Sequence, residues 1–148
     1  MIIHFNKQTP EYIREFAYFA ARELGMDRLR GECEIRYVYG ELEENSFGLC
    51  WGDGRETEIH IASRQYGRTI SREDKLKTVA HEMTHARQYL KRELISNKDD
   101  VNDNNVAVAK WCGHPTLFNL ADETDTPWEV EARLMEEKIY MKWLSLTV

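Results

Sequence analysis

The sequence has only three cysteines in 148 residues, and no two of them form a C-x-x-C pair. Cys33, Cys50 and Cys112 are too far apart in the chain to suggest a structural zinc ribbon. The apolar run at Met1 to Lys7 is too short for the core of a secretory signal. With the odd cysteine count, this leads us to expect a reducing, cytoplasmic setting. No apolar stretch approaches the roughly 20 residues that cross a bilayer, so no membrane partner is expected. Positive charge is also scarce. Twenty Lys and Arg face 26 Asp and Glu, for a net charge of −6, and no long basic stripe offsets that balance. Arg22, Arg28, Arg30 and Arg36 are interleaved with acids and read as a mixed, solvated surface. General nucleic-acid binding is therefore not expected. Internal repeats and low-complexity segments are missing too, which excludes a solenoid.

The remaining composition suits one folded domain over residues 1–148. Hydrophobic residues make up 42%, with four tryptophans, seven tyrosines and five phenylalanines. Ile2 to Phe5 reads as a first strand. Thr9-Pro10 opens a helix that ends near Gly25 and buries Tyr12, Ile13, Phe16, Ala17, Phe19, Ala20 and Leu24. Cys33, Ile35, Tyr37 and Tyr39 alternate with polar residues, as in a half-buried strand. Phe47, Leu49 and Trp51 alternate again, so residues 46–51 are expected to pair with it as a hairpin across a polar turn at Gly40 to Asn45. Gly52-Asp53-Gly54 marks a turn before a strand at residues 57–62. Asn97 to Asn105 is a polar loop whose Asp/Asn spacing resembles a calcium loop, but it lacks the glycine and terminal glutamate of one. Val106 to Trp111 reads as a short strand.

The chemistry concentrates in His81-Glu82-Met83-Thr84-His85. Ser71 reads as an N-cap, so a helix should begin near Arg72. Leu76, Val79, Ala80, Met83, Leu90 and Leu94 follow helical spacing on one side. His81, His85 and Gln88 fall on the other. Histidines four apart lie one turn apart on one helix face, so both imidazoles can reach a single metal ion, typically Zn²⁺. Glu82 is turned about 100° from each neighbour. It flanks the metal and can take a proton from a metal-bound water. Gln88, one turn on, is placed to hydrogen-bond a ligand from behind, or is an ordinary polar residue.

A catalytic zinc usually keeps three protein ligands and one open position. Two candidates for the third lie downstream, Glu129 and His114. Pro127 fits the first turn of a last helix with Thr126 as N-cap, and Trp128, Ala132, Met135, Ile139 and Trp143 form its apolar stripe. Thr126-x-x-Glu129 also reads as a capping box, which gives Glu129 a purely local alternative role. Glu131 reads as a solvated first-turn acid. His114 follows Trp111-Cys112-Gly113. If it is not a ligand, it can lie near the site and stabilise a transition state, or have no role.

HEMTHARQ (His81 to Gln88), Trp111-Cys112-Gly113 and PWEVEA (Pro127 to Ala132) together resemble the gluzincin zinc metallopeptidases. More closely, they resemble small single-domain metallopeptidase-like proteins of bacteriophages and prophages, for which the cytoplasm would be that of the host. The similarity covers roughly residues 71–135. It implies an α+β, zincin-like fold, in which a small, twisted, mostly antiparallel sheet packs on the HExxH helix with flanking helices. It implies Zn²⁺ held by His81, His85 and Glu129, Glu82 as general base, and a peptide or protein substrate. It also implies a sheet edge that binds extended substrate by strand addition, for which Glu58, Ile59, His60 and Ile61 are the best candidates. Arg133 departs from larger gluzincins, many of which carry an aspartate there that supports a zinc histidine. Two other readings stay open: a non-catalytic zinc-binding interaction protein on a peptidase-like scaffold, and a SprT-like protease with His114 as third ligand.

Overall fold

The computed structural model describes residues 1–97 and 105–147. Its elements, in chain order, are β1 (Ile2–Phe5), α1 (Glu11–Glu23), β2 (Glu32–Val38), β3 (Gly48–Gly52), β4 (Glu56–Ala62), β5 (Arg64–Gln65), β6 (Arg68–Thr69), α2 (Arg72–Leu90), β7 (Leu94–Asn97), β8 (Val106–Trp111), β9 (His114–Asn119) and α3 (Pro127–Thr147). The fold is α+β, as expected. Most of the calcium-like stretch lies outside the described residues.

Local chemistry sets the helix ends. Ser71 Oγ accepts a hydrogen bond from the Asp74 amide at 3.1 Å, which caps α2. At the other end Arg92 adopts a left-handed φ of 58°. Its amide bonds to the Tyr89 carbonyl, and the Glu93 amide bonds to that of Gln88. That pair of bonds closes the helix as a Schellman motif. Leu94 therefore does not continue the apolar stripe of α2, as its spacing suggested, and instead begins β7.

Four strands form one sheet in the order β1-β2-β4-β3. β1 pairs β2 in parallel, β2 pairs β4 in parallel, and only β3–β4 is antiparallel. This corrects two expectations. The sheet against the HExxH helix is mixed, not mostly antiparallel, and β2 and β3 are not hairpin neighbours. Alternation identifies a strand but not its partner. The long connection over residues 39–47 carries the chain past the position next to β2. The tight turn at Gly52 to Arg55 then folds β4 back into that gap, with Asp53 Oδ1 accepting from the Arg55 and Glu56 amides. The expected substrate edge, Glu58, Ile59, His60 and Ile61, is corrected as well. β4 is paired on both sides, so its amides and carbonyls are consumed within the sheet. The edge beside α2 is β3.

Cys33, Ile35 and Tyr37 of β2 and Ile59 and Ile61 of β4 are buried beneath α1 and α2, with Ile13, Phe16, Val79, Ala80 and Met83. Side chains such as Phe16 and Ile35 each contribute roughly 1.5–3 kcal/mol by leaving water. Tyr39 lies past the end of β2 and is exposed. α3 packs along α2. Its Trp143 ring meets Phe16 at 5.4 Å and Phe19 at 5.1 Å. A second, smaller core joins β7, β8 and β9 to the start of α3 through Leu94, Ala107, Ala109, Phe118, Tyr89 and Trp128. Phe118 meets the Trp128 ring edge-on at 5.2 Å. Among the described residues no helix is long and apolar enough to cross a membrane.

β3 approaches α2 closely because Gly48 has no side chain. A Cβ there would lie 2.6 Å from the Thr78 methyl and 3.0 Å from Glu82 Cγ. Gly48→Ala should therefore destabilise the fold by about 1–3 kcal/mol through overpacking. Urea unfolding would measure this, and Gly48→Ala/Thr78→Ala should recover part of the loss. An unchanged unfolding midpoint for the single variant would show that the contact yields freely.

Candidate metal centre and its cleft

α2 presents His81 and His85 one turn apart, with ring centroids 4.9 Å apart and planes inclined at 79°. α3 brings Glu129 across to both. His81 Nε2 lies 3.1 Å from Glu129 Oε2, and His85 Nε2 lies 2.9 Å from Glu129 Oε1. The atoms of the three side chains that could ligate a metal all fall within 4.8 Å of one another. They are the one such group among the described His, Cys, Asp and Glu residues. Two imidazole nitrogens and a carboxylate are a donor set that suits Zn²⁺.

Half of the capping box at Thr126 does form. Thr126 Oγ1 accepts from the Glu129 amide at 3.4 Å. The reciprocal half does not, because the Thr126 amide bonds to the Glu123 carbonyl. The Glu129 carboxylate is thus left to the histidines. His114 is not brought to the group. It is exposed at the start of β9, beside the two-residue turn at Cys112 (φ 50°) and Gly113 (φ 86°). It neither joins the ligand group nor lines the cleft. His60 is on the other face of the sheet, 3.4 Å from Glu58 and edge-on to Trp51.

The outward nitrogens of both histidines are also engaged. His85 Nδ1 lies 2.8 Å from Gln88 Oε1. Gln88 is fully buried and donates through Nε2 to the Trp128 carbonyl at 3.1 Å and to Glu131 Oε1 at 3.0 Å. Glu131 is not the solvated acid its local sequence suggested, since Arg87 Nη2 also donates to it at 2.9 Å. A line of contacts therefore runs Arg87, Glu131, Gln88, His85. On the other histidine, Nδ1 lies 3.7 Å from Glu136 Oε2. Glu136 was not singled out in the sequence, although its i+7 spacing from Glu129 puts both on one face of α3.

Electrostatics follow from this geometry. Burial opposes charge on His81, but Glu129 and Glu136 overcome it and raise the imidazole to about 10. Burial likewise opposes charge on His85, and Glu129 and Glu82 raise it against that. Burial works against the Glu129 carboxylate too, yet the two histidines hold it far below the usual carboxylate range. Glu82 is different. Burial dominates there and pushes its carboxyl above the ordinary value, with the histidines only partly compensating.

The group borders a cavity of about 160 Å³ lined by Glu82, His85, Glu129, Tyr89, Trp128 and Leu94, with Gly48 to Cys50 of β3 along one wall. Tyr89 was not singled out in the sequence, and the β3 residues were expected only as a hairpin strand, yet both line this cavity. No protein-family model matches the chain, and no curated protein matches it.

Zinc affinity should fall by about 10–100-fold in Gln88→Met, the usual cost of losing an outer partner of a ligand. Glu129→Ala should lose binding altogether, and His114→Ala should bind as the wild type does. Competition with a chromophoric chelator measures all three. A His114→Ala protein that fails to bind zinc would overturn the assignment of the third ligand.

Proposed function

We propose that this chain is a zinc-dependent peptidase of the zincin type, similar to the gluzincins, acting on a peptide or protein substrate in the cytoplasm. One observation carries the reading: His81, His85 and Glu129 converge from two separate helices, with buried Glu82 beside them, in a cleft bordered by a strand edge. Zinc, when bound by those three side chains, supplies a Lewis acid that acidifies water and polarises the scissile carbonyl.

The chain's own groups would do the rest. Glu82 accepts a proton from the attacking water as its oxygen bonds to the carbonyl carbon. It then delivers that proton to the leaving nitrogen as the C–N bond breaks. Its burial suits the first task, because a carboxyl raised above its ordinary value is a stronger base toward the water, and it stays far more acidic than the amine it must protonate in the second. Tyr89 lines the same cavity, and burial holds its phenol well above the usual value, so it stays protonated and able to donate toward a developing oxyanion. β3, rather than β4, supplies the edge for an extended substrate. Gln88 and Glu136 would keep the imidazoles oriented.

A structural zinc site would call for a fourth protein ligand, and the described residues offer three. The SprT-like reading requires His114, which stands apart. Neither alternative has a specific observation in its favour.

Glu82→Gln should retain zinc and lose hydrolysis of a denatured protein substrate such as casein by at least about 10²-fold, the lower end of what a positioned acid–base group supplies. Metal analysis and a fluorogenic assay read the two effects separately. Undiminished cleavage would remove Glu82 from the mechanism, and loss of zinc would make it a ligand. Tyr89→Phe should lower kcat with little change in KM. An unchanged kcat would exclude its hydroxyl from transition-state contact.

A further inference from the structure

The cleft continues past the histidines on the side of His81. There a second cavity, of about 540 Å³, is lined by Phe47, Gly48, His81, Glu82, Lys77 and Arg133, among others. Gly48 and Glu82 border both cavities, so the two halves of the trough meet beside the proposed general base. Their polar character differs. The first half is walled by Tyr89, Trp128, Phe118 and Leu94 and carries the acid Glu123. The second carries two cations, Lys77 and Arg133, among the acids Asp74, Glu82, Glu136 and Glu137.

Those cations are not equivalent. Lys77 Nζ lies 2.9 Å from Glu137 and 3.4 Å from Glu73, and it sits 5.3 Å above the Tyr140 ring. Its charge is already matched. Arg133 is half-buried on α3, one turn beyond Glu129. Among the described residues its guanidinium has no carboxylate within ion-pair distance and no hydrogen-bond acceptor. Glu136 and Glu137 are close in sequence, but they are directed to His81 and Lys77. A guanidinium is a rigid planar fork of donors that matches a carboxylate in a two-point contact.

We propose, building on the peptidase reading, that Arg133 anchors a substrate carboxylate on the His81 side of the scissile bond. The preferred substrate then carries an acidic side chain there, or ends there in a free α-carboxylate. Arg133 acts as a specificity residue that touches the substrate away from the reacting atoms.

Equilibrium binding tests this without turnover. The host protein is Glu82→Gln with zinc added, alone and combined with Arg133→Met or Arg133→Lys. The probes are three dye-labelled peptide pools of alanine, leucine and phenylalanine: one amidated with glutamate at varied positions, one amidated with glutamine, and one of glutamine peptides of varied length with a free C-terminus. Fluorescence anisotropy should show at least tenfold tighter binding of one or both carboxylate pools over the amidated glutamine pool. Arg133→Met should erase that preference while leaving the glutamine pool unchanged, and Arg133→Lys should restore part of it. The pool that responds identifies the source of the carboxylate. Equal binding of all three pools, a preference that survives Arg133→Met, or no binding by any pool would overturn the proposal. The peptidase reading fails separately. A wild-type protein that binds zinc and prefers these carboxylates through Arg133, yet cuts none of the peptides, would sink hydrolysis and leave the anchor standing.

Discussion

The Glu129 carboxylate spans two imidazoles on another helix, and the cleft is organised around that junction. His81 Nε2 and His85 Nε2 each lie about a hydrogen-bond length from one of its oxygens. The three groups are at least partly out of water, where an unpaired carboxylate would cost several kcal/mol. Mutual contact offsets that cost and fixes how α3 lies against α2. The start of α3 is held by packing as well, because neighbouring Trp128 is almost wholly buried against Phe118 and the small second sheet. The position of Glu129 therefore depends on a hydrophobic contact one residue away.

Orientation of the histidines is divided between α2 and α3. Gln88 belongs to the same helix as His85, three residues on, so local geometry alone brings its amide to Nδ1. Its other end is tied to Trp128 and Glu131 on α3, and Arg87 completes the ties. Every polar atom in this line that faces the interior has a partner except Arg87 Nε. Glu136 performs the matching task for His81 from two turns further along α3. One helix thus contributes three carboxylates and a cation from positions 129 to 136, while the other contributes the histidines and Glu82.

The sheet completes the trough by bringing an edge beside α2. β3 can approach because Gly48 leaves room for Thr78 and Glu82. The same glycine borders both halves of the cleft. The aromatic half and the half that holds Arg133 differ in chemistry, and on the proposed peptidase reading that asymmetry would set the direction in which an extended substrate lies.

The sequence alone determined what depends on short separations along the chain. Helical periodicity placed His81, Glu82, His85 and Gln88 in their relative positions, Ser71 set the start of α2, and Pro127 opened α3, because capping and the 3.6-residue repeat act within a turn or two. β2, β3 and β4 were legible in the same way, from alternation, and β1 and β8 as short strands, whereas β5, β6, β7 and β9 were not read from the sequence. Tertiary structure alone decided which distant group meets which. Glu129 and His114 were both admissible as third ligand, and only the packing of Trp128 and the outward turn at Cys112-Gly113 separates them. The choice of β3 over β4 as the free edge was hidden because pairing partners are selected across the sheet, where a strand's own pattern is silent. Glu136 gains its role, and Arg133 its place on the cleft wall, only once α3 is laid along α2. Local geometry propagates through bonds, whereas these decisions are made by contacts between segments that the chain keeps far apart.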